Sequence, residues 1–291
     1  MRLGLVALLF GGLVVIAGRG QPGADNAPEL RAGKNFLPTP VYPAEEDAKV
    51  LALFEGLRVA DVSDGMDAAG LQNVGLMGAE IRPLWKDTEK FTHRFAGVAV
   101  TARYVPTQQP PAGRRGVEDF DRWVGEWYRR RSPEPFVPLI RKGTALVIED
   151  AARADVGSIG SNNILSWRLR GCAGVVTSAT ARDTDEIAAQ KVPLYFRGPG
   201  RGIRPGRNEI ESVNRPVVCG GVLVVPGDVI VADGDGVIVV PRARAAEVAA
   251  YARKTLDGDK AGRRRLYEKL GLPPRRLGQV SAAGAACALR V

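Results

Sequence analysis

Apolar residues recur along this chain in two rhythms, one near 3.6 residues and one of short valine-rich runs. Val50, Leu51, Leu53, Phe54 and Leu57 share one side of a helix predicted over Ala44 to Leu57. Val98, Val100 and Ala102 alternate and predict a strand over Phe95 to Tyr104. Phe120, Val124, Trp127 and Tyr128 return at helical spacing within Val117 to Arg131, which predicts a helix docked by its aromatic side. That helix lies inside a Pro-rich segment, 105–142. Thr144 to Glu149 reads as a buried strand, Ala151 to Asn163 as a Gly/Ser/Asn loop, and Ile164 to Arg170 as a short helix stopped by Gly171. Ala173 to Ser178 is a second strand, Asp185 to Gln190 a short helix and Val192 to Phe196 a third strand. Strand–helix–strand units of this length imply parallel pairing with a right-handed crossover. Beyond Arg197 come short strands at Val217-Val218, Val222 to Val225, Val229 to Ala232 and Val237 to Val240, then a helix over Ala243 to Leu256. The fold class is α/β, with a parallel βαβ core and short C-terminal β-strands.

The flanks read differently. Arg2 followed by the uncharged run Leu3 to Gly18 predicts an export signal over 1–20, so a periplasmic or secreted protein is expected. The alternative is a membrane anchor made by the same segment; no other membrane span is expected. Residues 21–43 read as a Pro/Gly/Asn-rich linker and 257–291 as a basic, low-complexity tail, poorly ordered from Ser281 onward.

Composition narrows the chemistry. Among 291 residues there is one histidine, His93, so a multi-histidine zinc site is excluded and any Ser-His-Asp or Cys-His pair would have to use it. Cys172, Cys219 and Cys287 form no CxxC motif and read as buried or free thiols. The formal charge is 41 − 32 = +9, concentrated between Arg253 and Arg276. No nucleic-acid motif accompanies that run, so a nucleic-acid partner is not expected and the run reads as a solvated face. What remains is chemistry by carboxylates, arginines, backbone amides and a hard metal ion.

Ligands of parallel α/β sheets bind beyond the carboxyl ends of the strands. Two features fall there. Gly160-Ser161-Asn162-Asn163 precedes a helix start, where free N–H groups favour an anion. Arg182-Asp183-Thr-Asp185-Glu186 follows the strand AGVVTS and joins a guanidinium to carboxylates that can hold Mg²⁺ or Mn²⁺. The plain alternatives are a capping loop, a Thr184 cap on the next helix and a surface Arg–Asp pair. Gly198-Pro-Gly200-Arg-Gly202 opens no predicted helix and reads as a turn rather than a cofactor loop. Asp233 to Gly236 reads as a hairpin turn, and no lysine offers a defensible Schiff base.

The stretch from Gly160-Ser-Asn-Asn through Arg170-Gly-Cys-Ala-Gly-Val-Val to Arg182-Asp183-Thr-Asp-Glu186 resembles the RraA-like family. This family comprises class II pyruvate aldolases such as 4-hydroxy-4-methyl-2-oxoglutarate aldolase, together with a ribonuclease regulator. Its motif is Asp, twenty residues, Arg-Asp, two residues, then Glu or Asp. Arg182, Asp183 and Glu186 match it, and Ser161 stands at the first Asp. Val62-Ser-Asp-Gly-Met-Asp67-Ala-Ala-Gly70 and the Val217 to Pro241 strands extend the resemblance over 44–256, with 105–142 as an insertion.

The resemblance implies an α/β/β sandwich of the swivelling phosphohistidine-domain type, assembled as a homotrimer or hexamer with the active site between subunits. It implies a small 2-oxo acid held by Gly160, Ser161, Asn162, Asn163 and Arg182, and Mg²⁺ or Mn²⁺ carried by Asp183 through waters that Glu186 orders. It implies retro-aldol cleavage of a 4-hydroxy-2-oxo acid to pyruvate, with oxaloacetate decarboxylation alongside. The alternative is a non-catalytic binding protein on the same fold. Ser161 and Ser178-Ala-Thr180 depart from the family pattern.

Overall fold

The alternation that starts at Phe95 builds the longest strand of the molecule, β2 (Phe95–Pro106). The computed structural model describes residues 37, 39–151 and 155–271. The predicted export segment, most of the linker, Cys287 and the tail from 272 onward lie outside the described residues. Residues 39–271 fall within one unit.

Around β2 the chain lays down β1 (Arg82–Pro83), β3 (Thr144–Asp150), β5 (Cys172–Thr177), β7 (Leu194–Phe196), β9 (Asn208–Val213), β12 (Val229–Asp233) and β13 (Gly236–Val240). They form one mixed sheet in the order β1-β7-β5-β3-β2-β12-β13, with β9 also paired to β2. The expected parallel core is present: β2–β3, β3–β5 and β5–β7 are parallel. Near the sheet's two ends, Leu76 bridges Ile238 and the Met77 N–H donates to the Val237 carbonyl at 3.1 Å. The sheet is thus rolled into a nearly closed, barrel-like form.

Strand parity sorts the core. Ala145, Val147, Val176, Ile230 and Val239 face one way and pack under a hairpin of β10 (Val217–Cys219) and β11 (Val222–Val224). Leu146, Ile148 and Val175 face the other way. They are covered by Ile164 and Trp167 of one helix and Ile187 of another, described with the site below. Val229, Val231, Ile238 and Val240 pack against helices α1 (Ala44–Leu53), α2 (Val59–Ala68) and α6 (Ala245–Lys269) or the residues adjoining them. Each fully buried aliphatic side chain contributes about 1.5–3 kcal/mol.

Several expectations change. α1 ends at Leu53 rather than Leu57, and a separate helix, α2, occupies the Val62 to Gly70 motif region. The helix in the insertion, α3 (Val117–Arg130), is present, yet only Trp127 of its aromatic side is buried; Val117 and Phe120 stay exposed. α6 runs past Leu256 to Lys269, so the first part of the expected tail is helical. Asp259 there pairs with Arg58, which also holds Asp61, and this tie anchors the extended part of α6 beside the start of α2. Asp233 pairs Gly236 at a hairpin, as read from sequence. Cys172 and Cys219 are buried, and burial pushes their thiols up to about 11 and about 12. Among the described residues no helix is long and apolar enough to cross a membrane.

Candidate functional site

Three very short strands create the site: β4 (Gly157–Ile159), β6 (Thr180–Ala181) and β8 (Gly198–Pro199), all parallel. The stretch expected as one loop over 151–163 therefore contains a strand. Because Ile159 pairs with Ala181, the residues just beyond them, Gly160 and Arg182, come out side by side. The Arg182 N–H donates to the Ile159 carbonyl at 2.9 Å. This close approach needs a glycine at 157: a Cβ there would stand 2.5 Å from the Arg182 Cβ.

The chain turns sharply after Arg182. Asp183 has φ 55°, in the left-handed region, and stands at the N-cap of α5 (Thr184–Ala189), the place expected for Thr184. Aspartate tolerates this conformation better than most residues. The turn sends its carboxylate back across to α4 (Ser161–Leu169), which begins at Ser161 and not at Ile164. Asp183 Oδ2 accepts the Ser161 N–H at 3.1 Å, and Ser161 Oγ lies 3.5 Å away. That carboxylate takes up one of the unpaired N–H groups at the start of α4 from across the strand gap.

Gly160 marks where the groups converge. A Cβ built on it would lie 3.0 Å from Asp183 Oδ2, 3.5 Å from Asn163 Oδ1 and 3.6 Å from Arg182 Nε. Arg182 Nε and Asp183 Oδ2 are 3.8 Å apart, and both side chains are 38% exposed. At that separation and exposure the pair is worth only ~0–1 kcal/mol, so both groups remain open to a ligand. Ile164 N–H bonds to the Gly160 carbonyl, which leaves the first-turn amides of Asn162 and Asn163 without an intrahelical acceptor. A guanidinium, two amides and the positive end of α4 thus face one opening, an arrangement suited to a small carboxylate.

Behind the opening is a polar wall that sequence reading missed. Glu134 accepts Asn163 Nδ2 at 2.7 Å, Trp167 Nε1 at 3.0 Å and Arg204 Nη2 at 2.5 Å. Arg204 is buried and also donates to the Tyr104 hydroxyl at 2.6 Å. Beneath β4, Asn208 Nδ2 donates to Asp150 at 2.7 Å, and the Ser158 hydroxyl donates to the same carboxylate. Nothing local in Pro133-Glu134-Pro135 signals this role, because every partner lies far along the chain.

Of the residues singled out from sequence, Gly160, Ser161, Asn163, Arg182 and Asp183 are brought together. Asn162 is exposed at the rim. Glu186 is exposed on α5, one turn on from Asp183, and no described side chain bonds to it. Of Gly198 to Gly202, read as a turn, Gly198–Pro199 form strand β8 and Gly202 bridges Val156, and no helix opens there. Among the described residues no three acidic, His or Cys side chains cluster as a metal cage. The donor set is one half-exposed carboxylate with Oδ1 uncommitted, which fits a hard divalent cation that keeps most of its waters.

Known proteins share part of this sequence and its fold. A Legionella pneumophila protein, DlpA, is 25% identical over 220 residues, 74% of this chain and 32% of its own length. A Halalkalibacterium halodurans protein provisionally named 4-hydroxy-4-methyl-2-oxoglutarate aldolase is 34% identical over 132 residues, 44% of this chain and 60% of its own. The matched stretches thus span a third to three fifths of these relatives. The Streptomyces coelicolor protein RraAS2, described as an unusual member of the RNase ES inhibitor RraA family, superposes with a TM-score of 0.58 at 22% identity. That superposition covers 78% of this chain and 99% of RraAS2, and it speaks for the fold alone. The Aldolase/RraA family model matches residues 59–239, more than half of the chain, and the chain belongs to this RraA-like family.

Proposed function

We propose that the protein is a divalent-metal-dependent lyase that cleaves a 4-hydroxy-2-oxo acid to pyruvate and also decarboxylates oxaloacetate. The convergence of Arg182, Asp183 and Asn163 around Gly160, beside two free helix-start amides, carries this reading. The Asn162 and Asn163 amides receive the substrate carboxylate. Arg182 donates to the keto oxygen and faces the negative charge that grows there as the carbon–carbon bond breaks. Asp183 would hold the divalent cation, which when bound would supply Lewis-acid stabilisation of the same oxygen. Glu186, at the rim, orders water. Pre-aimed donors of this kind contribute several kcal/mol to the rate.

The homotrimeric or hexameric assembly, the swivelling-domain affinity of the fold and export by the N-terminal segment belong to the same proposal. A second reading rests on Ser161, which offers a hydroxyl where the family motif has a carboxylate: a binding protein that uses the same pocket without turnover. Pyruvate release from oxaloacetate and from 4-hydroxy-4-methyl-2-oxoglutarate, with Mg²⁺ or Mn²⁺, distinguishes the two. The lyase reading expects turnover that chelation stops and that Asp183→Ala reduces by about 100-fold or more. Absence of pyruvate with every substrate and metal favours the binder, whereas turnover indifferent to Asp183→Ala refutes the cation site assigned here.

A further inference from the structure

We infer that Glu134, a residue of the insertion, is a positioning residue that fixes Asn163 so that its amide oxygen, with the Asp183 carboxylate, faces the cation. The inference rests on the lyase reading of the site and adds to it a second protein oxygen and the device that aims it.

Glu134 is committed to acceptance. It pairs with the Arg204 guanidinium and takes the Trp167 indole N–H on its other oxygen. An ionised carboxylate has no proton to give, so the Asn163 amide must present its nitrogen to Glu134, at 2.7 Å. The amide plane then turns Oδ1 the other way. That oxygen is the one found 3.5 Å from a Cβ built on Gly160, the point near which Asp183 Oδ2 and Arg182 Nε also lie. Arg204, buried beneath, is itself held by Tyr104 Oη, so the chain Tyr104–Arg204–Glu134–Asn163 leads from the core to the opening. Carbonyl oxygens are natural partners of Mg²⁺ and Mn²⁺. With Ser161 supplying no carboxylate, the Asn163 oxygen gives the cation a further protein donor near Asp183.

The test reads Mn²⁺ binding to the full chain by titration calorimetry and by loss of the free-ion paramagnetic resonance signal, with no substrate present. Glu134→Gln keeps the shape, but its amide nitrogen must face either the Trp167 indole or the Arg204 and Asn163 donors, which loosens the hold on the Asn163 amide. Mn²⁺ affinity is expected to fall about tenfold or more, the usual scale for an outer partner of a ligand. Asn163→Ala, which leaves Glu134, Trp167 and Arg204 paired, is expected to give the same loss and guards against a folding defect in Glu134→Gln. Asn163→Asp placed on Glu134→Gln is expected to restore affinity, because a carboxylate presents oxygen whichever way it turns. A role in stability alone would not produce that rescue. Wild-type affinity in Glu134→Gln and in Asn163→Ala, with binding lost in Asp183→Ala, would overturn the inference and leave the lyase reading standing. Unchanged binding in Asp183→Ala would overturn both, while Mn²⁺ binding that follows this pattern without pyruvate release would sink only the lyase reading.

Discussion

Replacing Gly160 by alanine should separate the chemistry of the site from the stability of the fold. The backbone at Gly160 is extended, φ −113° and ψ 167°, which any residue adopts. The new methyl would meet Asp183 Oδ2 at 3.0 Å, Asn163 Oδ1 at 3.5 Å and Arg182 Nε at 3.6 Å. All three are side-chain atoms that can yield by a few tenths of an ångström. The unfolded chain loses freedom worth ~0.4–1 kcal/mol of stabilisation, which offsets that crowding. Unfolding free energy should therefore change by no more than about 1 kcal/mol, a Tm change of about 2–4 °C for a domain of this size. Turnover is another matter. The methyl occupies the point on which the ligand groups converge, and a misplacement of about 1 Å costs roughly 100-fold. Continuous pyruvate detection gives kcat/KM, and thermal unfolding gives the stability. A Gly160→Ala protein with wild-type kcat/KM would refute the placement of the substrate. Gly157→Ala is the contrast. Its Cβ would stand 2.5 Å from the Arg182 Cβ and 2.9 Å from the Gly200 carbonyl oxygen, and main chain does not yield. A loss of about 1–3 kcal/mol is expected there. Equal stability of the two variants would show that the strand packing has been misjudged.

Two further outcomes follow from buried groups away from the opening. Arg204→Ala leaves Glu134 charged without its guanidinium and should cost about 3 kcal/mol in urea unfolding; a loss under 1 kcal/mol would contradict the buried pair. His93 is the one histidine, is buried, and accepts the Asp87 N–H on Nδ1 at 3.0 Å, so the folded state favours the neutral ring. Burial first, and then the Arg94 charge, hold its pKa below the usual 6.5, with Asp233 and Asp87 opposing. Above pH 6.5 this group is silent. Below it the unfolded chain takes the proton first and stability drops as the pH falls further, a fall that His93→Gln should flatten.

The contrast between Arg182 and Glu134 explains how far the sequence was legible. Arg182-Asp183 stands out because a charged pair after a valine-rich strand is a local pattern; that strand is β5, and the unread β6 stands between it and Arg182. The parallel core and the hairpin at Asp233 to Gly236 were legible for the same reason. Glu134 carries no local signal, since its partners are 29 to 70 positions away. The start of α4 was misplaced because its capping carboxylate comes from Asp183, 22 residues later, and not from a neighbour. β4, β6 and β8 are two or three residues long, too short for alternation to show. Beyond Leu256 no residue of α6 is buried, so no apolar rhythm marks the helix there, and the pairing of Asp259 with Arg58 is invisible in one dimension.

The left-handed backbone at Asp183 has a consequence for variation at that codon. A side chain there costs about 1 kcal/mol relative to glycine, so Asp183→Gly would relax the turn while it emptied the opening of its carboxylate. In a mutant library, survival after heating and survival through turnover would pull this position in opposite directions. The choice the population makes there reports which of the two demands the molecule has been shaped to meet.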